Sequence, residues 1–206
     1  MYSGLICFDA FSVDQTKELL IFGRKADAQP TFTRINDRVA ETASMLKETL
    51  PKNVELVIDL QQALPPIFID VSHLDRILTN LIMNASDAMS EGGTITISAE
   101  VVEFAPAIQS ARQAEEVPYL CLKVSDTGMG MDDATRSRAF EPFYTTKASG
   151  KGTGLGLSVV FGLMQIHNGL INLQSELGQG TTISLFFPLQ QNSSSATGAL
   201  HQVSAI

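Results

Sequence analysis

Leu120-Cys121-Leu122-Lys123-Val124-Ser125-Asp126-Thr127-Gly128-Met129-Gly130 is the stretch on which the reading of this chain turns. Leu120, Leu122 and Val124 alternate onto one face of a strand over 117–126, and Asp126 falls in phase with them. A carboxylate carried onto an apolar face needs a partner, because an unpaired buried charge is costly. One reading makes Asp126 a cap for the turn that follows, a common role ahead of glycine. The other makes it an acceptor for a donor on a bound ligand, with Gly128 and Gly130 removing side-chain bulk so that a planar group can lie against backbone.

Downstream, Gly150, Gly152, Gly154 and Gly156 crowd into one segment, and a nearly all-apolar helix over 154–167 follows at once. Its composition predicts burial on almost every face. Glycine-rich backbone running into a helix N-terminus offers N–H groups to an anion. Lys147 and Lys151 add positive charge there. The segment is not a Walker A loop, because Gly152 follows Lys151 where Ser or Thr is required, and no strand is followed by Gly-x-Gly-x-x-Gly. A flexible loop is the plainer reading of Gly152-Thr153-Gly154-Leu155-Gly156-Leu157, and flexibility suits a lid.

Upstream, Asp70 can cap a helix running to about Met89, with Leu74, Ile77, Leu78, Leu81, Ile82, Ala85, Ala88 and Met89 as its apolar stripe. Asn80, Asn84 and Asp87 share one stripe on its flank. A solvated helix face is the ordinary explanation. Yet asparagine is a mediocre helix former, and two in mid-helix call for a reason. Mg²⁺ supplies one, since it takes oxygen ligands and fills its shell with phosphates and water. With Phe140-Glu141-Pro142-Phe143 between the two glycine motifs, the set reads as an ATP site in which Asp126 accepts from the adenine amino group. Thr181, in phase with Ile183, Leu185 and Phe187, then faces the same interior as a second polar contact to the base.

The remaining sequence frames that site. Net charge is −8, which argues against a nucleic-acid groove. Cys7 and Cys121 have no partners at metal-ligand spacing, and no stretch has the length of a membrane span or the form of a signal peptide, so the chain reads as cytoplasmic, without direct membrane contact. Helices are expected over 12–27 and from Ile35 to about Thr49, strands over 54–60, 67–70 and 94–104, a polar loop over 105–116, and a closing hairpin from strands near 170–175 and 181–187. His73, His167 and His201 carry no signature beyond ordinary structural roles, and residues 189–206 read as a disordered tail or linker.

These motifs resemble the catalytic, ATP-binding domain of sensor histidine kinases, within the GHKL superfamily of the Bergerat fold. The match runs from about Thr16 to Pro188. Asn80 to Ala85 is similar to the family's N box, Asp126 to Gly130 to its G1 box, Phe140 to Phe143 to its F box, and Gly152 to Leu157 to its G2 box. Asn80 to Met89, Glu141 to Lys147 and Ser175 to Thr182 resemble the nitrogen-regulator-like subclass. The resemblance implies a two-layer α/β sandwich, with a mixed sheet of about five strands and helices on one face. It implies a catalytic domain over 30–188, preceded over 1–29 by a segment that includes a remnant of a dimerisation hairpin.

Further implications concern the site. Asn84 is the Mg²⁺ ligand and Asn80 its catalytic companion near the phosphates. Asp87, Asp126, Gly128, Gly130, Thr146, Lys147, Gly152, Thr153, Gly154, Leu155, Gly156, Leu157 and Thr181 complete the ATP site. ATPases of the superfamily carry a water-activating Glu where this chain has Asn80, so transfer to another nucleophile is favoured over hydrolysis. The family's phosphoacceptor is an upstream His, and no His precedes His73. The expected partners are therefore a dimerisation domain bearing that His, in the parent chain or in trans, and a response regulator, with a homodimeric parent. A non-enzymatic nucleotide-binding module is the alternative.

Overall fold

A computed structural model describes residues 28–103, 117–148 and 152–189. The helix expected over 12–27, the loop over 105–116, Gly150, Lys151, Cys7, His201 and the tail beyond Leu189 lie outside the described residues. In chain order the elements are β1 (Thr31–Thr33), α1 (Ile35–Lys47), β2 (Val54–Leu60), β3 (Ile67–Ile69), α2 (Val71–Asp87), β4 (Gly93–Val102), β5 (Tyr119–Asp126), α3 (Asp133–Arg138), α4 (Gly156–Ile166), β6 (Leu170–Glu176) and β7 (Gly180–Pro188).

Alternation in β4 and β5 turns Ile95, Ile97, Leu120, Leu122 and Val124 to one face of a sheet, where they are buried. The sheet has five strands in the order β2-β4-β5-β7-β6. β2 and β4 are parallel and the remaining pairs antiparallel. A parallel pair needs a long crossover, and β3 with α2 supplies it. Helices α1, α2 and α4 close over one face, and Leu74, Ile77, Leu78, Leu81 and Ile82 of α2 join the sheet in a single core. The opposite face holds a small cluster of Tyr119, Cys121 and Phe186. Burial pushes the Cys121 thiol up to about 11, which makes it an inert core group.

The ends of α2 and its bond to α1 follow from named side chains. Asp70 Oδ1 accepts from the Ser72 N–H at 2.8 Å and caps the helix. Arg38 of α1 grips Asp75 of α2 with both arms of its guanidinium, Nε donating to Oδ1 at 2.6 Å.

Two elements carry no expectation from the sequence. β1 pairs with β3 in a separate antiparallel ribbon, and α3 follows the turn after β5. The expectation of all-round burial for α4 needs correction. Val160, Leu163 and Met164 are buried, but Ile166 is exposed and Leu157, Val159 and Phe161 are half-buried. Helix α4 packs chiefly on α2 and β6, and its composition overstated its enclosure.

Candidate functional site

The end of β5 carries Asp126 onto the core side of the sheet, directly opposite Thr181 of β7 and Ile95 of β4. Its Oδ1 accepts from the Gly128 N–H at 2.8 Å. Burial raises its pKa above the ordinary carboxylate value, against the lowering effect of hydrogen bonds from the Gly128 and Thr181 backbone. The carboxylate thus does cap its own turn, the plainer of the two sequence readings, yet burial still works against its charge.

The two glycines after Asp126 are spent on the protein itself. A Cβ on Gly128 would come within 2.7 Å of Ala88 O at the end of α2, and one on Gly130 within 2.0 Å of Glu176 O. The room they leave is taken by neighbouring backbone. Gly130 also has φ +65°, in the left-handed region.

Thr181 is buried, and its hydroxyl lies 2.9 Å from that of Ser175, whose Oγ also stands 2.9 Å from Gly180 O. Sequence reasoning passed over Ser175. The alternation Leu173–Ser175 was the signal for it, because that spacing puts a hydroxyl on the core face of the strand. Arg136 of α3, also passed over, donates to Ser175 O at 3.0 Å.

Helix α2 supplies the other side. Asn80 Nδ2 donates to Arg76 O one turn back at 2.8 Å, which fixes the amide. Asn80 and Asn84 meet the start of α4. A Cβ built on Gly156 would lie 3.1 Å from Asn84 Nδ2 and 3.3 Å from Asn80 Oδ1. The residue before it, Leu155, offers no side-chain cap. The first N–H groups of α4 therefore lack a side-chain acceptor where a helix end carries about half a positive charge. Lys147 brings a full charge to the same place, with Nζ 2.5 Å from Asp87 Oδ2 and 3.5 Å from Asn84 Oδ1.

The glycine-rich segment folds against the Phe140–Phe143 motif. Gly154, at φ +66°, rests on the Phe143 backbone so closely that a Cβ would meet its carbonyl carbon at 2.3 Å. Phe143 has φ 66°, uncommon for a bulky residue, and its ring is 63% exposed. Phe140 is a core aromatic stacked on Phe161. Tyr144 lies under the Arg138 guanidinium, 4.2 Å from ring centre to Cζ. Thr153 Oγ1 accepts from the Leu155 N–H at 3.4 Å. Thr146 is exposed, and Leu157 packs on the core from the first turn of α4.

Asn80, Asn84, Asp87, Lys147 and Gly156 are thereby brought together, with Gly152 alongside the stem of Lys147. Asp126, Gly128, Gly130 and Thr181 form a second group at the ends of β5 and β7. Carboxamide oxygen, carboxylate and open helix N–H groups suit a hard cation bound together with an anion. Among the described residues no cluster of three or more His, Cys, Asp or Glu is disposed to hold a metal by itself. No described helix is long and apolar enough to cross a membrane.

Residues 69–191 match the family described as histidine kinase-, DNA gyrase B- and HSP90-like ATPase. The sensor kinase CckA of Brucella abortus is 38% identical over 173 residues, which span 84% of this chain but 18% of that protein. Full-length ShkA in complex with AMPPNP superposes with a TM-score of 0.64 at 25% identity, over 80% of this chain and 32% of that one. The catalytic domain of histidine kinase ThkA gives 0.62 at 23% identity, over 78% of this chain and 95% of that one. ThkA in complex with the response regulator TrrA gives 0.62 at 21%, over 84% and 45%. The chain thus spans less than a fifth of the length of its Brucella relative, and the stretch it shares carries the Asn80–Asn84 helix, Asp126 and the glycine-rich segment. This chain belongs to the histidine kinase-, gyrase B- and HSP90-like ATPase family and has the fold of a histidine kinase catalytic domain.

Proposed function

We propose that the protein binds ATP with Mg²⁺ between α2 and the glycine-rich segment and donates the γ-phosphoryl group to a histidine on a separate dimerisation domain, with a response regulator as the next acceptor. The observation that carries this reading is the meeting of Asn80 and Asn84 with Gly156 at the uncapped start of α4. Those helix N–H groups and Lys147 receive the phosphates. Asn84 Oδ1, an oxygen already facing a cation, would hold Mg²⁺, which lowers the charge on the phosphate oxygens as the bond to the leaving group breaks. Asp126 takes the adenine amino group, and Thr181 stands beside it. Asn80, Thr146, Thr153, Leu155 and Leu157 line the same path, and the catalytic unit is residues 30–188.

Two features favour transfer to a protein over hydrolysis. Asn80 is no base for water, and the carboxylate nearest to it along the helix, Asp75, is held by Arg38 of α1. The histidines within the described residues are not placed as acceptors. His73 and His167 hydrogen-bond each other at 2.9 Å, and α4 with its 11 residues sets His167 roughly 16 Å from Gly156. The family's dimerisation helix is the natural source of the nucleophile, and positioning it accounts for most of the catalysis.

The test is incubation with γ-labelled ATP, Mg²⁺ and a separately produced dimerisation–His domain. Acid-labile, base-stable label on that domain is the expected result. Tight ATP binding with no phosphohistidine on any such domain would sink the kinase reading.

A further inference from the structure

Lys147 reaches α2 from a segment 60 residues away along the chain and sets its ammonium on two oxygens one helical turn apart, Asp87 Oδ2 and Asn84 Oδ1. The approach is shaped by its neighbours. The Lys147 N–H donates to Thr145 Oγ1 at 3.2 Å. A Cβ on Gly152 would lie 2.9 Å from both Lys147 Cδ and Thr145 Oγ1, so a bare glycine lies alongside the lysine stem. We propose that Lys147 is a resident cation of the nucleotide-free site. Its ammonium covers the hard oxygen donors that a divalent metal would otherwise take, and it transfers from Asp87 to phosphate oxygens when metal–nucleotide enters.

The inference rests on the ATP reading above and adds a role for Asp87 that does not require it to touch ligand. Asp87 without a partner would set a bare carboxylate beside a polyanion site, in a chain whose net charge is already −8. Lys147 cancels that charge while the site is empty. The pair is also built to part. The side chains are 33% and 46% exposed, and ion pairs so open to water are weak. Lysine is a compact charge on a flexible stem, whereas an arginine fork would bind both carboxylate oxygens and hold on. Asn84 Oδ1 cannot serve a dication and keep the ammonium over it, because the two cations repel at that range. Metal entry therefore displaces Lys147, and the nearest unmatched negative charge is the phosphate that accompanies the metal.

The experiment uses Mn²⁺ alone as the probe, read by paramagnetic broadening of the Asn84 side-chain amide and the Gly156 N–H. Wild type without nucleotide should take Mn²⁺ there only weakly. Lys147→Met should tighten it by about tenfold or more, as expected for exposing a carboxylate–carboxamide pair. Adding Asp87→Asn to Lys147→Met should erase the gain, and Lys123→Met, which frees Glu100 elsewhere on the sheet, should leave these two signals unmoved. Circular dichroism checks that each variant is folded. Equal broadening in wild type and Lys147→Met, or a gain that survives Asp87→Asn, overturns the resident cation. Calorimetry of Mg²⁺–ATP binding to wild type separates the two readings. No binding there removes the ATP site and with it the exchange, whereas binding without the Mn²⁺ gain removes the resident cation alone.

Discussion

Burial raises the pKa of Asp126, and the hydrogen bonds from the Gly128 and Thr181 backbone oppose that rise. A folded-state pKa above the unfolded value of 3.8 means that the folded protein binds this proton more tightly than the unfolded chain. The ionised group therefore costs stability at neutral pH, and the cost disappears as pH falls below the unfolded value. Asp126→Asn keeps an oxygen for the Gly128 N–H and removes the charge. Its melting temperature should match or exceed wild type at pH 7, with the difference gone near about pH 3.5. If adenine donates to this carboxylate, the same change should lose about 1.5–3 kcal/mol of ATP binding, roughly ten- to a hundredfold. Calorimetry beside thermal melts checks both, and an unaltered ATP affinity removes Asp126 from the base. The orientation of Asp126 was legible because alternation alone sets which face a strand residue takes. The Ser175–Thr181 hydroxyl pair was not, because it depends on hairpin register, which a strand pattern leaves open.

At the scale of elements, legibility followed burial. Helix α2 and strand β4 each bury one periodic face, while β5 and β7 bury residues on both faces, so each carries an apolar pattern that stands out in the sequence. Helix α3 is six residues long, Asp-Ala-Thr-Arg-Ser-Arg, with none buried, so it has no apolar stripe to detect. Its one signal is Asp132, whose side chain accepts from the Thr135 N–H at 2.7 Å. Strand β1 has three residues with Phe32 turned to solvent against Phe68, too short for alternation to register. The glycines were legible as a group but not in their separate tasks, which the close approaches now divide. Gly130→Ala drives a Cβ onto Glu176 O at a left-handed φ, and should cost about 1–3 kcal/mol in a denaturant titration. Gly156→Ala should do the reverse, since alanine favours a helix over glycine by up to about 1 kcal/mol. Its methyl presses on Asn84 Nδ2, so nucleotide affinity should fall while the melting temperature holds or rises. If the Gly156 variant loses stability and keeps its affinity, the start of α4 is structural rather than part of the site.

Across the whole molecule, α4 is the beam that joins the candidate site to a distant anchor. Gly156 at one end meets the asparagines of α2, and His167 at the other meets His73 in the first turn of that same helix. Two imidazoles 2.9 Å apart can share a hydrogen bond only while at least one is neutral. Burial lowers the pKa of His167, the charge of His73 lowers it further, and Asp70 opposes both. A depressed folded-state pKa means that the unfolded chain takes up the proton first as pH falls. The stability held by this anchor is thus complete above the unfolded value of 6.5 and drains away below it, as pH falls through the folded value. Asp70 also titrates at this corner, but in a separate window. Burial acts to raise its pKa, and hydrogen bonds from Ser72 and Gln29 outweigh it and hold it at about 2, so its own contribution persists until pH falls below 3.8. The melting temperature should therefore begin to fall as pH drops below 6.5, well before Asp70 titrates. His167→Gln, which retains polarity without a titrating ring, should flatten that slope. An identical slope in the variant would mean that the pH sensitivity lies elsewhere, and that α4 is anchored by its apolar face on α2 and β6 alone.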